Sequence, residues 1–488
     1  MSLPKITATQ LFIDGKFVDS VSGKKLDTFN PATCEKIASV SEAQPEDIDL
    51  AVKAARKAFD SGPWRCFSGS QRAKLLLKLC DIIQKNAPEL AQLESLDNGM
   101  PLSFSTMCSY GSADIFRYYS GFADKIHGQQ IPIEGPYLCY TRHEAVGVVA
   151  AIIPWNAPLM MLAMKVAPAL AMGCTVVLKP AELTPLTALK FGDFMNEAGF
   201  PPGVLNIVPG FGATAGKHLV QHPLVDKVAF TGSTTVGFDI MRNSHVSNLK
   251  RITLELGGKS PNIILDDADL DLAIAQSQLA VFFNQGQCCV AGSRTFVQEG
   301  IYDEFVKRSA EAAKKRKLGC PLAADTEQGP QINEIQFKKI LGYIEKGQKE
   351  GARLVCGGKR SGDKGYFIEP TVFADVTDDM TIAKEEIFGP VMSIMKFKTV
   401  DEVIERGNRS DYGLGAGIVT KDIGKAIKIA NALKAGFVYV NCYLVSGFGT
   451  PFGGYKNSGV GREMGEYGLR SFTEVKTVIV KVADDALP

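Results

Sequence analysis

The chain has 488 residues, of which 45% are hydrophobic and 22% are charged, and its 54 basic and 53 acidic residues leave a formal net charge of +1. This length exceeds the roughly 250 to 300 residues at which a single core stops growing, so at least two packed domains are expected. The balanced and interspersed charge excludes an electrostatic case for a nucleic-acid or a membrane partner.

The predicted elements change character near residue 146. A turn at Asp14 and Gly15 predicts a hairpin over 11–17, and helical periodicity dominates residues 45–60 and 70–97. From residue 146 onward, short apolar strands alternate with helices. The predicted strands are 146–153, 175–179, 205–208 and 227–230, and the predicted helices are 159–170 and 184–198. This alternation is typical of right-handed crossovers in a mainly parallel sheet.

The second half of the chain repeats this pattern. Its predicted strands are 262–265, 294–297, 391–397, 415–419 and 437–441. A second α/β domain is therefore expected, with the boundary near residues 255–260. The sequence contains no internal repeat and no low-complexity linker.

A glycine-containing turn, Phe230-Thr-Gly232-Ser233-Thr-Thr-Val-Gly237, follows one predicted strand and opens a helix. Free backbone N–H groups and the positive end of the helix dipole meet there, as a phosphate group requires. The glycine spacing differs from the dinucleotide fingerprint, and the acidic residue about 20 positions later is absent. A purely structural turn is thus an equal alternative. For a second turn, with Gly212 and Gly216, the structural interpretation is favoured.

Two predicted strands end in polar side chains. Lys179 and Glu182 follow one strand, and Trp155 and Asn156 follow another. Ligands of parallel sheets bind at this carboxyl edge. The lysine and the carboxylate can hydrogen-bond ribose hydroxyls or can simply be solvated. The Asn156 amide can donate to an oxygen that becomes negative during attack on a carbonyl, or it can be a turn asparagine.

A thiol and a carboxylate in glycine-rich surroundings suggest covalent catalysis. Cys289 is the second of two adjacent cysteines, and Glu255 lies upstream in Glu-Leu-Gly-Gly-Lys. A thiolate attacks a carbonyl carbon, and a carboxylate can then activate the water that releases the acyl group. Taken separately, a cysteine is most often a small buried hydrophobe and a glutamate an ion-pair or helix-end residue.

Together these segments resemble the aldehyde dehydrogenase superfamily over nearly the whole chain. They occur in the family's order, at 154–156, 179–182, 230–237, 255–260, 285–289, 385–390 and 451–454. The most similar members are the cytosolic and mitochondrial class 1 and class 2 enzymes, including those that oxidise retinal. The resemblance implies an α/β fold of the aldehyde dehydrogenase type, with two parallel-sheet α/β domains and a small oligomerisation element.

The resemblance also implies a domain division. Residues 1–126 and 146–257 form the NAD-binding domain, residues 258–472 the catalytic domain, and residues 127–145 and 473–488 the oligomerisation element. A homotetramer is the expected assembly.

Roles for individual residues follow from the resemblance. Cys289, rather than Cys288, matches the nucleophile, Glu255 the general base and Asn156 the oxyanion amide. The implied cofactor is NAD rather than NADP, because the Glu182 carboxylate would repel a 2′-phosphate. The residues implied to contact NAD are Trp155, Lys179, Glu182, Gly212, Gly216, Phe230, Gly232, Ser233, Gly237, Glu386 and Phe388.

The substrate tunnel departs from the family pattern. Ala157 and Ser446 stand where an aromatic residue is frequent, and Met164 stands where a tryptophan is common. This loss of aromatic surface predicts a wider mouth and a preference for bulky aldehydes, such as retinal, over acetaldehyde. The expected lining residues are Ala157, Met161, Met164, Cys288, Val290, Leu444, Val445, Ser446 and Phe452.

The predicted function is NAD-dependent oxidation of an aldehyde to a carboxylic acid through a cysteine thiohemiacetal and thioester. The altered tunnel leaves two alternatives without catalysis. One is an inactive homologue with a structural role, as in lens crystallins recruited from this family. The other is a binding module that holds NAD or an aldehyde without turnover.

The cysteines and the apolar segments predict the compartment. The eleven cysteines lack both the density of a disulfide scaffold and the paired spacing of a metal site, so no bound metal and a reducing compartment are expected. Residues 1–10 contain neither an apolar signal core nor an Arg-rich amphipathic stretch. The longest apolar stretches, 146–153 and 159–172, fall short of the ~20 residues that a spanning helix needs. A cytoplasmic location is the resulting expectation.

Overall fold

The computed structural model describes residues 4–483. Its strands are β1 (Leu11–Ile13), β2 (Lys16–Val18), β3 (Lys25–Phe29), β4 (Lys36–Ser41), β5 (Gln130–Ile131), β6 (Tyr137–Ala145), β7 (Val148–Ile152), β8 (Thr175–Lys179), β9 (Leu205–Ile207), β10 (Lys227–Thr231), β11 (Arg251–Glu255), β12 (Pro261–Ile264), β13 (Arg294–Gln298), β14 (Arg353–Cys356), β15 (Thr371–Ala374), β16 (Val391–Phe397), β17 (Tyr412–Gly413), β18 (Gly415–Val419), β19 (Phe437–Val440), β20 (Tyr455–Lys456), β21 (Gly459–Val460) and β22 (Thr473–Lys481). Its α-helices are α1 (Pro45–Asp60), α2 (Gly69–Asn98), α3 (Leu102–Ser120), α4 (Pro158–Ala171), α5 (Leu186–Ala198), α6 (Lys217–Gln221), α7 (Thr234–Asn243), α8 (Leu270–Phe282), α9 (Tyr302–Lys315), α10 (Glu334–Lys349), α11 (Thr381–Lys384), α12 (Val400–Asn408), α13 (Ile423–Ala432) and α14 (Gly465–Arg470).

The first sheet has the strand order β2-β1-β9-β8-β7-β10-β11-β21. Its centre, from β9 to β11, is parallel, and the β1–β2 hairpin and the short β21 join the two ends antiparallel. Strands β7, β8 and β10 are buried along their whole length. Burial on both faces explains their continuous runs of small and branched apolar residues. The parallel sheet predicted from the alternating pattern is confirmed.

The second sheet has the strand order β14-β15-β16-β13-β12-β18-β19. It is parallel from β15 to β19, and β14 pairs antiparallel at one end. Strand β11 of the first sheet ends at residue 255 and strand β12 of the second sheet begins at residue 261, so the short glycine-containing segment 256–260 connects the two sheets there. The two-sheet α/β class expected from the sequence is confirmed.

A third, antiparallel sheet pairs two distant parts of the chain. Strand β6 runs alongside β22 from Tyr137–Lys481 to Ala145–Thr473, and β5 adds to its other edge. These strands lie in the segments 127–145 and 473–488, of which residues 484–488 are outside the described part of the chain. The assignment of functional domains to the segments remains a prediction.

The C-terminal turns of α2 anchor two neighbouring helices from within the core. Buried Glu94 accepts a hydrogen bond from the Leu159 N–H at the start of α4 (3.2 Å), and buried Asp97 accepts one from the Leu186 N–H at the start of α5 (3.1 Å). The first N–H groups of a helix have no partner within the helix, and the dipole there favours a negative group. Helix α2 thereby fixes the start of α4, next to the strand end that carries Asn156.

These two carboxyl groups make stability depend on pH. Burial raises the pKa of Glu94 from 4.5, and that of Asp97 from 3.8, to about 8 in each case. The stability linked to their raised values is fully present below the unfolded pKa and is lost as pH rises to about 8. The variants Glu94→Gln and Asp97→Asn keep an acceptor oxygen but cannot ionise. We expect the fall in melting temperature between pH 5 and pH 8 to be smaller in each variant than in the native protein.

The control is Asp81→Asn, an exposed change on the same helix. Its melting temperature should follow the native pH profile. A native-like pH profile in both buried variants would show that Glu94 and Asp97 are ionised in the folded protein over this range.

Candidate active site

A strained turn between α8 and β13 presents the two adjacent cysteines. Asn284 and Gln285 adopt left-handed backbone angles, with φ of 47° and 57°. Their side-chain amides hold the turn, because Asn284 donates to the Asn156 carbonyl (2.9 Å) and Gln285 to the Gly99 carbonyl (3.3 Å). Backbone strain of this kind persists where surrounding contacts fix it. The thiols that follow are half-buried.

Two glycines allow the end of β11 to pass beside the cysteines. A Cβ atom at Gly258 would overlap the Cys289 carbonyl oxygen, and one at Gly257 would lie 2.6 Å from the Glu386 carboxylate. The Glu386 Oε1 atom accepts a hydrogen bond from the Gly258 N–H (2.9 Å). The strand end that carries Glu255 is therefore held against both Cys289 and Glu386.

The Glu255 carboxyl group is buried, at 3% exposure, and its Oε2 atom has no hydrogen-bond partner. Burial raises the pKa of Glu255 well above its ordinary value, and the negative charge of Glu463 acts in the same direction. Lys165 opposes this rise, although its ammonium group is already ion-paired with Glu463. A carboxyl group whose pKa is moved towards neutrality is suited to general base catalysis.

Lys165 and Glu463 were not predicted, because neither lies in a glycine-rich motif. A signal for Lys165 was present, since it is a charged residue inside the long apolar stretch 159–172. Charged side chains are almost never fully buried without a partner. In the structure Lys165 is completely buried in α4, and Glu463 lines the same cavity as Glu255.

Several neighbouring groups raise the pKa of the Cys289 thiol. A hydrogen bond with Cys288 raises the pKa of Cys289, and burial and the nearby carboxylates of Glu255 and Glu386 act in the same direction. The thiolate is the reactive form of cysteine. Its fraction therefore grows as the pH rises.

Two cavities meet at Cys289. One, which we call the cleft, has a volume of about 680 Å³ and lies between Trp155, Ser233 and Phe388. The other, which we call the tunnel, has a volume of about 1170 Å³ including its open mouth and contains Glu255 and Ala157. The residues that line both are Asn156, Met161, Thr231 and Cys289. Cys288 lines only the tunnel, so Cys289 is the sulfur placed at the junction.

The cleft is lined by five of the predicted cofactor residues, namely Trp155, Gly232, Ser233, Glu386 and Phe388. The rings of Trp155 and Phe388 meet edge to face, with centroids 5.3 Å apart. A Cβ atom at Gly232 would lie 2.5 Å from the Phe230 ring, so this turn requires glycine.

The cleft fits a dinucleotide. The N-terminal end of α7, capped by Ser233, opens into it, and the Lys339 ammonium group lines it as well. Both features favour an anionic diphosphate. Gln336 and Lys339 were not predicted, because they lie on α10 without a glycine turn to mark them.

Other predicted cofactor residues lie outside the cleft. The Lys179 ammonium group is 3.7 Å from the Glu182 carboxylate and donates to the Gly210 carbonyl (2.7 Å). A Cβ atom at Gly216 would be 3.6 Å from the Lys179 side chain, and Gly212 is exposed in the same turn. This cluster lies at the carboxyl edge of the first sheet.

Phe230 and Gly237 serve packing in the structure. The Phe230 side chain is buried, at 5% exposure, and a Cβ atom at Gly237 would lie 2.6 Å from Leu256. Gly237 therefore allows α7 to pack closely beside the end of β11. Neither residue lines the cleft.

The predicted tunnel residues line the tunnel with one exception. Val445 is 64% exposed and is not part of the lining, because its side chain points to the surface. The predicted residues in the lining are Ala157, Met161, Met164, Cys288, Val290, Leu444, Ser446 and Phe452. The expected loss of aromatic surface is only partial, since other segments contribute rings. These rings are Phe283, Phe437, Tyr439 and Phe448.

The sequence profile described as the aldehyde dehydrogenase family matches residues 17–478. The chain belongs to the aldehyde dehydrogenase family. It is 59% identical to the mitochondrial aldehyde dehydrogenase of Homo sapiens over 481 residues, which cover 98% of this chain and 93% of that protein. It is 56% identical to retinal dehydrogenase 2 of Homo sapiens over 480 residues, with 98% and 93% coverage. The NAD+ complex of a Bacillus cereus aldehyde dehydrogenase has a TM-score of 0.96 and 52% identity, covering 98% of this chain and 97% of that one.

Family membership confirms the predicted fold, the enzyme class and the NAD cofactor. NAD-dependent aldehyde oxidation is the activity, and the crystallin-like alternative has no support, because these relatives are named as dehydrogenases.

The expectation of a cytoplasmic location is wrong, because several relatives at 57% to 59% identity are named mitochondrial enzymes. All eleven cysteines are free, but free cysteines indicate a reducing compartment without specifying which one.

Residues 4–483 contain neither a metal-binding cluster nor a helix that could span a membrane. No group of three or more His, Cys, Asp or Glu side chains is arranged to hold a metal ion. No helix in this part of the chain combines the length and the apolar character needed to cross a membrane.

Proposed function

We propose that the enzyme oxidises bulky aldehydes, such as retinal, through a covalent intermediate on Cys289. The observation that carries this proposal is the position of Cys289 at the junction of the cleft and the tunnel, with the Glu255 strand end held against it. The mostly apolar lining of the tunnel and the relative named retinal dehydrogenase 2 support the substrate class.

In the first step the Cys289 thiolate bonds to the aldehyde carbon, and the carbonyl oxygen becomes negative. One hydrogen of the Asn156 amide already donates to the Gln287 carbonyl (3.0 Å), which fixes the orientation of the amide. The second hydrogen remains to donate to the oxyanion, together with the Cys289 N–H. The product is a thiohemiacetal.

When bound, NAD would act as the oxidant and would accept a hydride from the substrate carbon. The residues proposed to hold it are Glu386 and Phe388 on the nicotinamide side, Gly232 and Ser233 at the diphosphate, and Lys179 and Glu182 at the adenosine ribose. The resulting thioester stays on Cys289 at the junction of the two cavities. Glu255 then removes a proton from a water that attacks the thioester carbon, and release of the carboxylic acid restores the thiol.

The test is NADH formation by the purified protein with short aliphatic, aromatic and polyene aldehydes. We expect turnover with all three classes and a higher kcat/KM for the bulky members. Thermal stabilisation by NAD without any NADH would show a binding module instead of an enzyme. A preference for acetaldehyde would refute the proposed substrate class.

Asn156→Ala should lower kcat by about 10² to 10³, because it removes an oxyanion donor that acts mainly in the transition state. NAD affinity serves as the control and should change little, since the variant keeps the cleft's charged groups. A kcat near the native value would remove Asn156 from the proposed oxyanion site.

We further propose that the enzyme assembles as a homotetramer through the third sheet. Apolar side chains on β5, β6 and β22 are exposed in the single chain, namely Ile131, Tyr137, Val475, Ile479 and Val480. Exposed apolar side chains concentrated on one small sheet are typical of a protein–protein interface. Sedimentation should give a tetramer mass for the native protein and a smaller species for Val475→Lys with Ile479→Lys, while Val21→Lys, a matched exposed change elsewhere, should leave the mass unchanged.

A further inference from the structure

Sulfur atoms are concentrated in the wall of the tunnel. The chain has 13 methionines, and those in this one wall are Met100, Met107, Met160, Met161, Met164 and Met464. Cys108, Cys288 and Cys289 line the same space. The methionines come from three parts of the chain. Their thioethers therefore line the tunnel from several sides rather than forming a stripe along one helix.

Contacts and burial place these side chains along the length of the tunnel. Met160 and Met164 are one turn apart on α4 and share a face of the helix. The Met160 methyl group is 2.9 Å from the position of a Cβ atom at Gly111, so α3 and α4 approach closely there. Met107 is 52% exposed at the outer end, and Met464 is 7% exposed beside Glu463.

A thioether differs from a hydrocarbon of the same size in one relevant respect. Its polarizable sulfur attracts aromatic and conjugated π systems, with an energy equivalent to about a twofold to tenfold change in affinity per contact. Leucine has nearly the volume of methionine and lacks this attraction. A methionine wall can therefore distinguish an unsaturated body from a saturated body of similar shape.

Building on the proposed function, we infer that the tunnel selects aldehydes with a π-electron body over saturated aldehydes of the same size. The alternative for a methionine-rich wall is flexible gap filling, which gives tolerance of size but no preference for π electrons. The aromatic rings that also line the tunnel can contact a π-electron body themselves. The contribution of the sulfur atoms to the preference is therefore measured by replacing only methionines.

The experiment compares 3-phenylpropanal with 3-cyclohexylpropanal. The same two methylene groups separate ring and carbonyl in both, so the reactivity of the aldehyde group is matched. Hydrophobic burial alone favours the cyclohexyl compound, because its ring is more apolar. A higher native kcat/KM for the phenyl compound therefore cannot be explained by size or hydrophobicity. We expect Met160→Leu with Met164→Leu to lower the phenyl-to-cyclohexyl ratio of kcat/KM about fourfold or more, mainly through KM, because two contacts of about twofold to tenfold each are removed.

Met395→Leu is the matched control, because Met395 is fully buried in β16 and is not part of the tunnel wall. Its ratio should equal the native ratio. Met107→Leu, at a half-exposed position, repeats the test with little risk to folding and should lower the ratio in the same direction.

The outcomes separate this inference from the proposed function. Absence of NADH with both aldehydes in the native protein overturns the proposed function. Turnover with a ratio that the tunnel variants leave unchanged overturns the inference alone. An equal loss of kcat/KM for both aldehydes in the tunnel variants also overturns the inference, because it indicates lost shape complementarity rather than lost π contacts.

Discussion

Cys289→Ala is expected to abolish turnover, with a loss on the order of 10⁴ to 10⁶ in kcat, as for removal of other enzymatic nucleophiles. No other thiol occupies the junction of the cleft and the tunnel, among the residues that line them. The variant should still bind NAD, since the cleft's helix end, Glu386 and Lys339 are unchanged. The measurements are steady-state NADH formation and NAD binding on the same preparation.

Cys288→Ala is the matched control for this prediction. Cys288 lines only the tunnel, so its replacement should largely spare kcat. It should also free Cys289 from the hydrogen bond that raises its pKa, and the burst rate should then reach its plateau at a lower pH than in the native enzyme. Equal loss in the two variants would show that the wrong sulfur was assigned.

The order of strands and helices could be read from the sequence wherever burial leaves a periodic signal. Predicted strand 175–179 coincides with β8, and predicted helix 45–60 with α1, because continuous apolar runs and amphipathic periodicity mark these elements. Helix α3 was missed. Several serines lie on its buried face, where their hydroxyl groups donate to carbonyls four residues earlier, so the sequence shows no regular apolar periodicity there.

Sequence motifs predict Cys289 as the nucleophile and Glu255 as the base, but they could not show what surrounds these two residues. Glu255 and Cys289 sit among glycines that are required by close contacts, and this requirement leaves a visible motif. Glu463 and Lys165 affect the pKa of Glu255 through burial and charge, and these effects leave no motif in the local sequence. The aromatic rings of the tunnel come from residues 283 and 437–452, and only the fold brings these segments to α4.

Glu255→Gln is expected to block hydrolysis of the thioester while leaving its formation largely intact. The change keeps the size of the side chain and removes its ability to accept a proton, so only the step that consumes water loses its base. In a single-turnover experiment the variant should form about one NADH per active site and then fall to a steady rate roughly 10² to 10⁴ lower than native, the range for loss of a general base. Absence of the burst would place the essential role of Glu255 at or before oxidation.

The pH dependence gives an independent check on Glu255. Because burial raises its pKa, the side chain is an acid below that raised value and a base above it, so the native steady-state rate should fall as pH decreases through it. The burst phase depends instead on the Cys289 thiolate, whose fraction also rises with pH. Glu255→Gln should therefore lose the acidic limb of the steady-state profile, whereas its burst should still rise with pH and should reach its plateau at a lower pH, because the Glu255 charge no longer raises the pKa of Cys289. If the variant keeps the acidic limb of the steady-state profile, another group acts as the base. Glu463 is the side chain placed to do so, because its Oε2 atom is buried without a hydrogen-bond partner in the same cavity.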